Sequence, residues 1–289
     1  MRKSALFIAI CLIGGTIATI VVAEIIAAPQ QRIVGPPPDN LPAESVFIER
    51  EQASPVAGWF IAGRPNHPGI LLLHGIRADR RSMLGRAYFL YEAGYSVLLI
   101  DMQAHGETPG SYITFGYRES YDVHAALRYL RARLPDQPLG IVGVSLGGAA
   151  VLLGEKPVNA DALVLEAVYS ALDQAVQNRL TIRLGEVGRL LAPLLLWQVE
   201  PRLGIAVESL SPVSSISALT APIMIVAGTE DKRTRPDETE KLFSLAPEPK
   251  QLYWVQGARH EDLHQYQPQE YEHKVLAFFD KYLRPTVDE

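Results

Sequence analysis

The chain carries a single cysteine, Cys11, in 289 residues. That excludes an internal disulfide framework and any thiolate-rich metal site, and leaves the redox compartment open. Positive charge is also short: 27 Lys and Arg against 32 Asp and Glu give a net charge of -5. Nucleic acid is thereby set aside as a partner, because phosphate binding needs a cationic footprint. There is no internal repeat and no second linker. What remains is 48% hydrophobic and 20% charged residues, the balance of one large globular domain with something added.

The addition stands at the start. After Met1, Arg2 and Lys3, residues Ser4 to Ala23 run without a charge until Glu24. About twenty apolar residues span a bilayer as a helix, whereas a secretory signal has a shorter apolar core. Residues 1–27 are therefore expected to be an N-terminal transmembrane helix, with a signal cleaved after Val21-Val22-Ala23 as the alternative. Arg2 and Lys3 set the N-terminus in the cytoplasm and the rest of the chain across the membrane. Cleavage would give a secreted or periplasmic protein instead. Residues 28–44, with five prolines and no apolar periodicity, read as a Pro-rich linker, a stiff spacer of up to roughly 50 Å. The globular domain is expected to occupy 45–289.

From Ser45 onward, short β-rich runs alternate with helical patterns. "SVFIER", "VAGWFIA", "GILLLH", "SVLLID", "LGIVGV", "ALVLEA", "PIMIVAG" and "QLYWVQ" are eight strand candidates. Several are near-continuous Val, Ile and Leu, as parallel strands covered on both faces require. Between them, Val123, Leu127, Leu130 and Leu134, and again Tyr271, Val275, Phe278 and Tyr282, recur at i, i+4, i+7, i+11 and give one apolar stripe each. The pattern predicts an α/β fold, a doubly wound and mostly parallel eight-stranded sheet. In such sheets the chemistry lies just past the carboxyl ends of the strands.

Those loops carry the unusual residues. "LGIVGV" runs straight into Ser145, with Gly143 and Gly147 completing G-x-S-x-G, and a small-residue helix follows. This is the arrangement of a nucleophile elbow, where side chains at the flanking positions would clash with neighbouring strand and helix; a phosphate-type or purely structural glycine turn is the alternative. An oxyanion hole needs two backbone N–H groups; Leu146 offers one, and Ile76, after the turn at His74-Gly75, offers the other. His74 reads as a packing and hydrogen-bonding residue, and Arg77, Arg80 and Arg81 as a solvated edge. A triad also needs an acid after a later strand and a histidine after the last. Asp231 follows the strand ending in Gly228, with Glu230 and Asp173 as rival acids. His260 follows the final strand, with His264 as the rival base.

His260, Glu261 and His264 also spell H-E-x-x-H, a zinc-binding pattern on a helix. Arg259 precedes it, Asp262 sits inside it, and Pro268 shortens any helix through it. Glu270, Glu272 and His273 offer no third ligand at a recognisable spacing, so Glu261 and Asp262 read as solvated loop charges.

"HGIRADR", "DMQAHGET", "GVSLGG", "AGTED" and "GARHEDL" together resemble the α/β-hydrolase superfamily, in its order and over roughly Ser45 to Leu283. The look-alikes are bacterial serine hydrolases of the esterase, acylglycerol-lipase and prolyl-oligopeptidase-like type. The resemblance implies Ser145 as nucleophile, Asp231 as acid, His260 as base, and the Ile76 and Leu146 N–H groups as oxyanion donors, with no cofactor and no metal. Where many relatives have Arg-Gly, this chain has Gln103-Ala104, which bears on the shape of that loop. A serine at the elbow argues against the dehalogenase and epoxide-hydrolase branches.

Between about 168 and 219 lies an insertion expected to form one or two cap helices over the active-site mouth. "LTIRLGEVGRLLAPLLLWQV" is apolar enough either to pack on the domain or to dip into a membrane. Both favour an acyl or otherwise hydrophobic substrate, and so a carboxylic ester, over a sugar. A peptide, a thioester, or a non-catalytic binding role of the same fold are the alternatives.

Overall fold

The computed structural model describes residues 14–15, 18–51 and 53–284. The eight apolar runs form eight strands of one sheet: β1 (Ala43–Arg50), β2 (Ala53–Ile61), β3 (Gly69–Leu73), β4 (Ser96–Ile100), β5 (Leu139–Val144), β6 (Ala162–Glu166), β7 (Ile223–Gly228) and β8 (Lys250–Val255). Their order across the sheet is β8-β7-β6-β5-β3-β4-β2-β1. All neighbours are parallel except that β2 runs antiparallel to both β1 and β4. The pleat sends alternate side chains to opposite faces: Leu71 and Leu73 join one core cluster, Ile70 and Leu72 the other. With helices on both faces a central strand has no wet side, which is why these runs show no alternation.

One face is covered by α1 (Leu84–Glu92) and, at the end of the chain, α10 (Pro268–Leu283), through Ala87, Leu90, Tyr271, Val275 and Phe278. The other is covered by α2 (Glu119–Arg133) and α3 (Leu146–Leu152), through Val123, Leu127, Leu130 and Val151. Both predicted apolar stripes thus face the sheet from opposite sides. α2 places Glu119 and Asp122 in its first turn and Arg131 and Arg133 in its last, complementing the helix dipole at each end. α10 starts at Pro268, whose missing N–H costs nothing in a first turn.

The cap is more broken than the sequence reading anticipated. Instead of one or two helices it holds α4 (Leu172–Leu184), α5 (Glu186–Arg189), α6 (Ala192–Leu196) and α7 (Val199–Leu203), followed by a single helical turn at Pro212–Ser215. Gly185 ends α4 at φ 66, a backbone conformation that L side chains disfavour. Pro193 can only sit in the first turn of a new helix, which it does in α6. Beyond β7 come α8 (Pro236–Leu245) and, after β8, the single turn α9 (Leu263–Tyr266).

Most of the apolar run expected to span the membrane lies outside the described residues. No helix among the described residues is long and apolar enough to cross a membrane. Residues 18–27 are helical, and the stretch that follows lies along the domain and does not stand off as a free spacer. Gln30–Gln31 pair in parallel with His105–Gly106. The Val34 and Gly35 N–H groups donate to Glu107 Oε1 at 3.1 and 3.0 Å, and Tyr88 donates to Asn40 at 2.8 Å. Leu41 is buried. The Gln30, Arg32, Val34 and Gly35 N–H groups of the Pro-rich strap thus find partners on the domain, which an extended spacer would leave to water.

Candidate active site

β5 feeds directly into the turn that holds Ser145 at φ 50 and ψ -105, and α3 starts at the next residue. A non-glycine residue at positive φ is strained, and the surroundings enforce it here. A Cβ on Gly143 would lie 2.7 Å from the Gly148 nitrogen, and one on Gly147 would lie 2.5 Å from the Leu73 carbonyl oxygen of β3. Only glycine fits at either place. The Ser145 N–H is taken by the Glu166 carbonyl at 2.7 Å, fixing the turn to the end of β6.

The loops after β7 and β8 are joined to each other. The Glu230 N–H donates to the Ala258 carbonyl at 2.9 Å, and the Gly257 N–H donates to Thr229 Oγ1 at 2.9 Å. This brings Asp231 to His260: Nδ1 of the ring donates to Asp231 Oδ2 at 2.7 Å. His260 Nε2 then faces Ser145 Oγ at 3.4 Å, a long contact of the sort that tightens when substrate arrives. Asp231 is buried and also accepts the Arg233 N–H at 2.7 Å, the Thr234 N–H at 3.0 Å and the Thr234 hydroxyl at 2.6 Å. Burial alone would raise its carboxyl, but the bond to His260 and the Thr234 donors hold it below the usual range. It is an ionised acceptor that fixes the ring with Nε2 free for Ser145.

The rivals fall elsewhere. Glu230 is exposed with Arg259 3.8 Å away, and Asp173 is exposed in the first turn of α4. His264 belongs to α9, pairs with Glu272 at 2.7 Å and lies against the rings of Phe89 and Tyr271. His260 lies before that helix, so the two imidazoles of H-E-x-x-H are committed to different partners and do not converge on one point. Among the described residues no group of three His, Cys, Asp or Glu could hold a metal ion.

Ile76 lies in the loop after β3. A Cβ on Gly75 would sit 3.8 Å from the Ser145 Cβ, so this loop passes beside the nucleophile. Among the described residues no acceptor takes the Ile76 N–H, and Leu146 opens α3, where a first-turn N–H has no partner within the helix. Two neutral imidazoles shape the loop. His74 Nδ1–H donates to the Gly75 carbonyl at 2.8 Å while its Nε2 accepts the Met102 N–H at 3.1 Å. His105 Nδ1–H donates to the Gln103 carbonyl at 2.9 Å while its Nε2 accepts the Arg77 N–H at 3.1 Å. The rings meet edge to face, 5.0 Å apart. Burial, with the neighbouring His105, pushes His74 down to about 3, and burial also lowers His105, so both remain uncharged.

Two readings of charge are corrected. Arg80 is no solvated edge: it is buried, pairs with Asp101 and, at 2.6 Å, with Glu107, and its guanidinium lies 4.6 Å from the Trp59 ring. Asp262 is not a free loop charge either. It accepts the His264 and Gln265 N–H groups as the cap of α9 and pairs with buried Arg86 at 2.9 Å. The Gln103-Ala104 departure leaves the loop closed, with Ala104 at φ 61 and Gln103 Nε2 donating to the Tyr112 carbonyl at 3.1 Å. Thr234 was missed; its place three residues past Asp231, in a turn closed by that aspartate, was the signal for it.

A cavity of about 640 Å³ opens between α4 and the Asp231 loop, with Gln174, Asn178, Glu186, Arg189 and Lys232 among its walls. Ser145 and His260 do not line it.

A sheet of this order, with serine on a strained strand-to-helix turn and acid and histidine after β7 and β8, defines a serine hydrolase of the α/β-hydrolase fold. Residues 65–211, just over half of the chain, match the family described as Serine aminopeptidase, S33, and the chain belongs to that family. It is 22% identical over 229 residues to the uncharacterized protein YqkD of Bacillus subtilis, covering 78% of this chain and 75% of that one. It is 29% identical over 230 residues to the uncharacterized protein Rv2307c of Mycobacterium tuberculosis, covering 77% and 74%. Among solved structures, the Pyrococcus furiosus esterase Pf2001 superposes with a TM-score of 0.71 at 21% identity, over 89% of this chain and 99% of that one. At that identity the likeness shows the fold alone.

Proposed function

We propose that the protein is a membrane-anchored serine esterase that works through an acyl-enzyme. The observation that carries this is the line of contacts from Asp231 through His260 to Ser145, at 2.7 and 3.4 Å. His260, held by Asp231, takes the proton of Ser145 as Oγ attacks the acyl carbonyl. The developing oxyanion receives the N–H groups of Ile76 and Leu146. His260 returns the proton to the leaving alcohol, and water then releases the acid by the same route. The reaction needs no cofactor.

The apolar cap supports an acyl substrate, and the Pf2001 esterase shares the fold. Anchoring rests on the uncharged run from Ser4 to Ala23, with Arg2 and Lys3 holding the N-terminus in the cytoplasm and the domain outside; release of a cleaved domain is the alternative. The family description favours a second reading, hydrolysis of a peptide bond. A p-nitrophenyl acyl ester series set beside an aminoacyl p-nitroanilide separates the two. The ester reading requires turnover of the esters that Ser145→Ala abolishes; turnover of the anilide alone would replace it with the peptidase.

A further inference from the structure

Large apolar side chains are exposed in an uneven way. Five fall in residues 20–26 and six in residues 182–197, while only five are scattered over the rest of the described residues. Single exposed apolar residues are ordinary, whereas a gathered set marks a surface that is covered. In the cap, Val187, Leu190 and Trp197 are 69%, 75% and 72% exposed, joined by Ile182, Leu184 and Leu194. Arg183 and Arg189 lie exposed among them, Arg189 paired at 3.3 Å with Glu186, which is exposed as well. Apolar and aromatic side chains interleaved with cations are the composition of a surface that enters lipid head groups, where arginine stems snorkel and tryptophan sits at the boundary.

The N-terminal segment indicates which occupant covers this face. Its helix is fastened to the cap and the domain at its last turns. Arg202 of α7 donates to Glu24 at 3.0 Å, Arg77 donates to the Ile25 carbonyl at 2.9 Å, and the Ile113 N–H donates to the Ala27 carbonyl at 2.8 Å. The uncharged run therefore ends, at Ala23, against the same cap that carries the exposed apolar set; Trp197 and Arg202 are five residues apart.

We propose that the cap face formed by Val187, Leu190, Leu194 and Trp197 rests on the bilayer surface, beside the point where the N-terminal run enters it. Substrate then reaches the site from the lipid, and its acyl chain leaves the membrane beneath the cap. This rests on the anchored reading of residues 1–27 and deepens the esterase assignment to acyl esters dissolved in a membrane.

The test uses full-length protein in phosphatidylcholine–phosphatidylglycerol vesicles with brominated or ordinary acyl chains. Trp59 is buried and Trp254 partly so, which leaves Trp197 as the reporter. Emission is expected to fall in brominated lipid, and the fall to vanish in Trp197→Phe. Val187→Asp with Leu190→Asp is expected to cut hydrolysis of a long-chain ester carried in vesicles about tenfold, and to leave a soluble short-chain ester unchanged. Equal emission in both lipids, from protein that floats with the vesicles, overturns the docked cap and leaves the anchor standing. Protein that does not float removes both. Trp197 emission that follows protein concentration and ignores lipid assigns the face to a second copy and overturns the proposal. Fluorescence reads docking whether or not Ser145 reacts, so failure of the esterase reading remains distinguishable.

Discussion

Arg86 and Glu166 form a buried bidentate ion pair, Nε and Nη2 donating to the two carboxylate oxygens at 2.9 and 2.6 Å. The pair joins the two halves of the site. The Glu166 carbonyl holds the Ser145 N–H, while Arg86 Nη1 reaches Asp262, two residues past His260, at 2.9 Å. Burial alone would lower the Arg86 guanidinium, but Glu166 holds it well above its ordinary value. Removing one partner strands the other, and breaking such a pair costs about 3–5 kcal/mol. Arg86→Met and Glu166→Leu should each lose about that much in urea unfolding, and the double variant should recover most of it. Single variants within about 1 kcal/mol of wild type would show the pair to be dispensable.

Asp231→Asn keeps the shape of the acid but removes its charge and the reason for the His260 tautomer. The expected loss in kcat is roughly three to four orders of magnitude, with the fold retained. Circular dichroism and ester hydrolysis on the same sample check both halves. A loss below about tenfold would return the acid role to Glu230 or Asp173.

Gly147→Ala places a Cβ 2.5 Å from the Leu73 carbonyl oxygen, where only backbone movement can relieve it. Overpacking of this kind costs about 1–3 kcal/mol, and here the displaced element is the turn that holds the nucleophile. Both Tm and kcat should fall; a variant with wild-type values would mean that α3 shifts freely against β3.

The buried histidines set an acid limit on stability. His74 titrates at about 3 in the folded chain against 6.5 ordinarily, so below pH 6.5 the unfolded chain binds the proton that the native one refuses. The stabilisation is complete above that value and is lost as pH falls toward 3, by about 1.4 kcal/mol per pH unit. His105, lowered by burial, acts in the same direction. His74→Gln should flatten the slope of unfolding free energy between about pH 7 and about pH 5 by that amount. An unchanged slope would show that His74 already takes up the proton in the native state.

The strands were legible because a parallel strand covered on both faces tolerates no polar side chain, so β3 and β5 announce themselves as unbroken apolar runs. Ser145, Asp231 and His260 were legible because each follows a strand that ends in or near glycine. Arg80, Arg86 and Asp262 were not, since a buried charge is explained by its partner, and Glu166 lies 80 positions from Arg86. Gly185 and Pro193 did mark the breaks in the cap, but the apolar character of the segment obscured them. The docking of residues 28–44 depends on Glu107 and His105–Gly106, distant in sequence, and local composition said only that the stretch was stiff.

The central claim is that Ser145 is an activated nucleophile. Intact mass of the protein after treatment with a fluorophosphonate, wild type beside Ser145→Ala, tests it most directly. One covalent adduct on wild type and none on the variant is the predicted result. No adduct on folded wild type, or one that persists in Ser145→Ala, would contradict it.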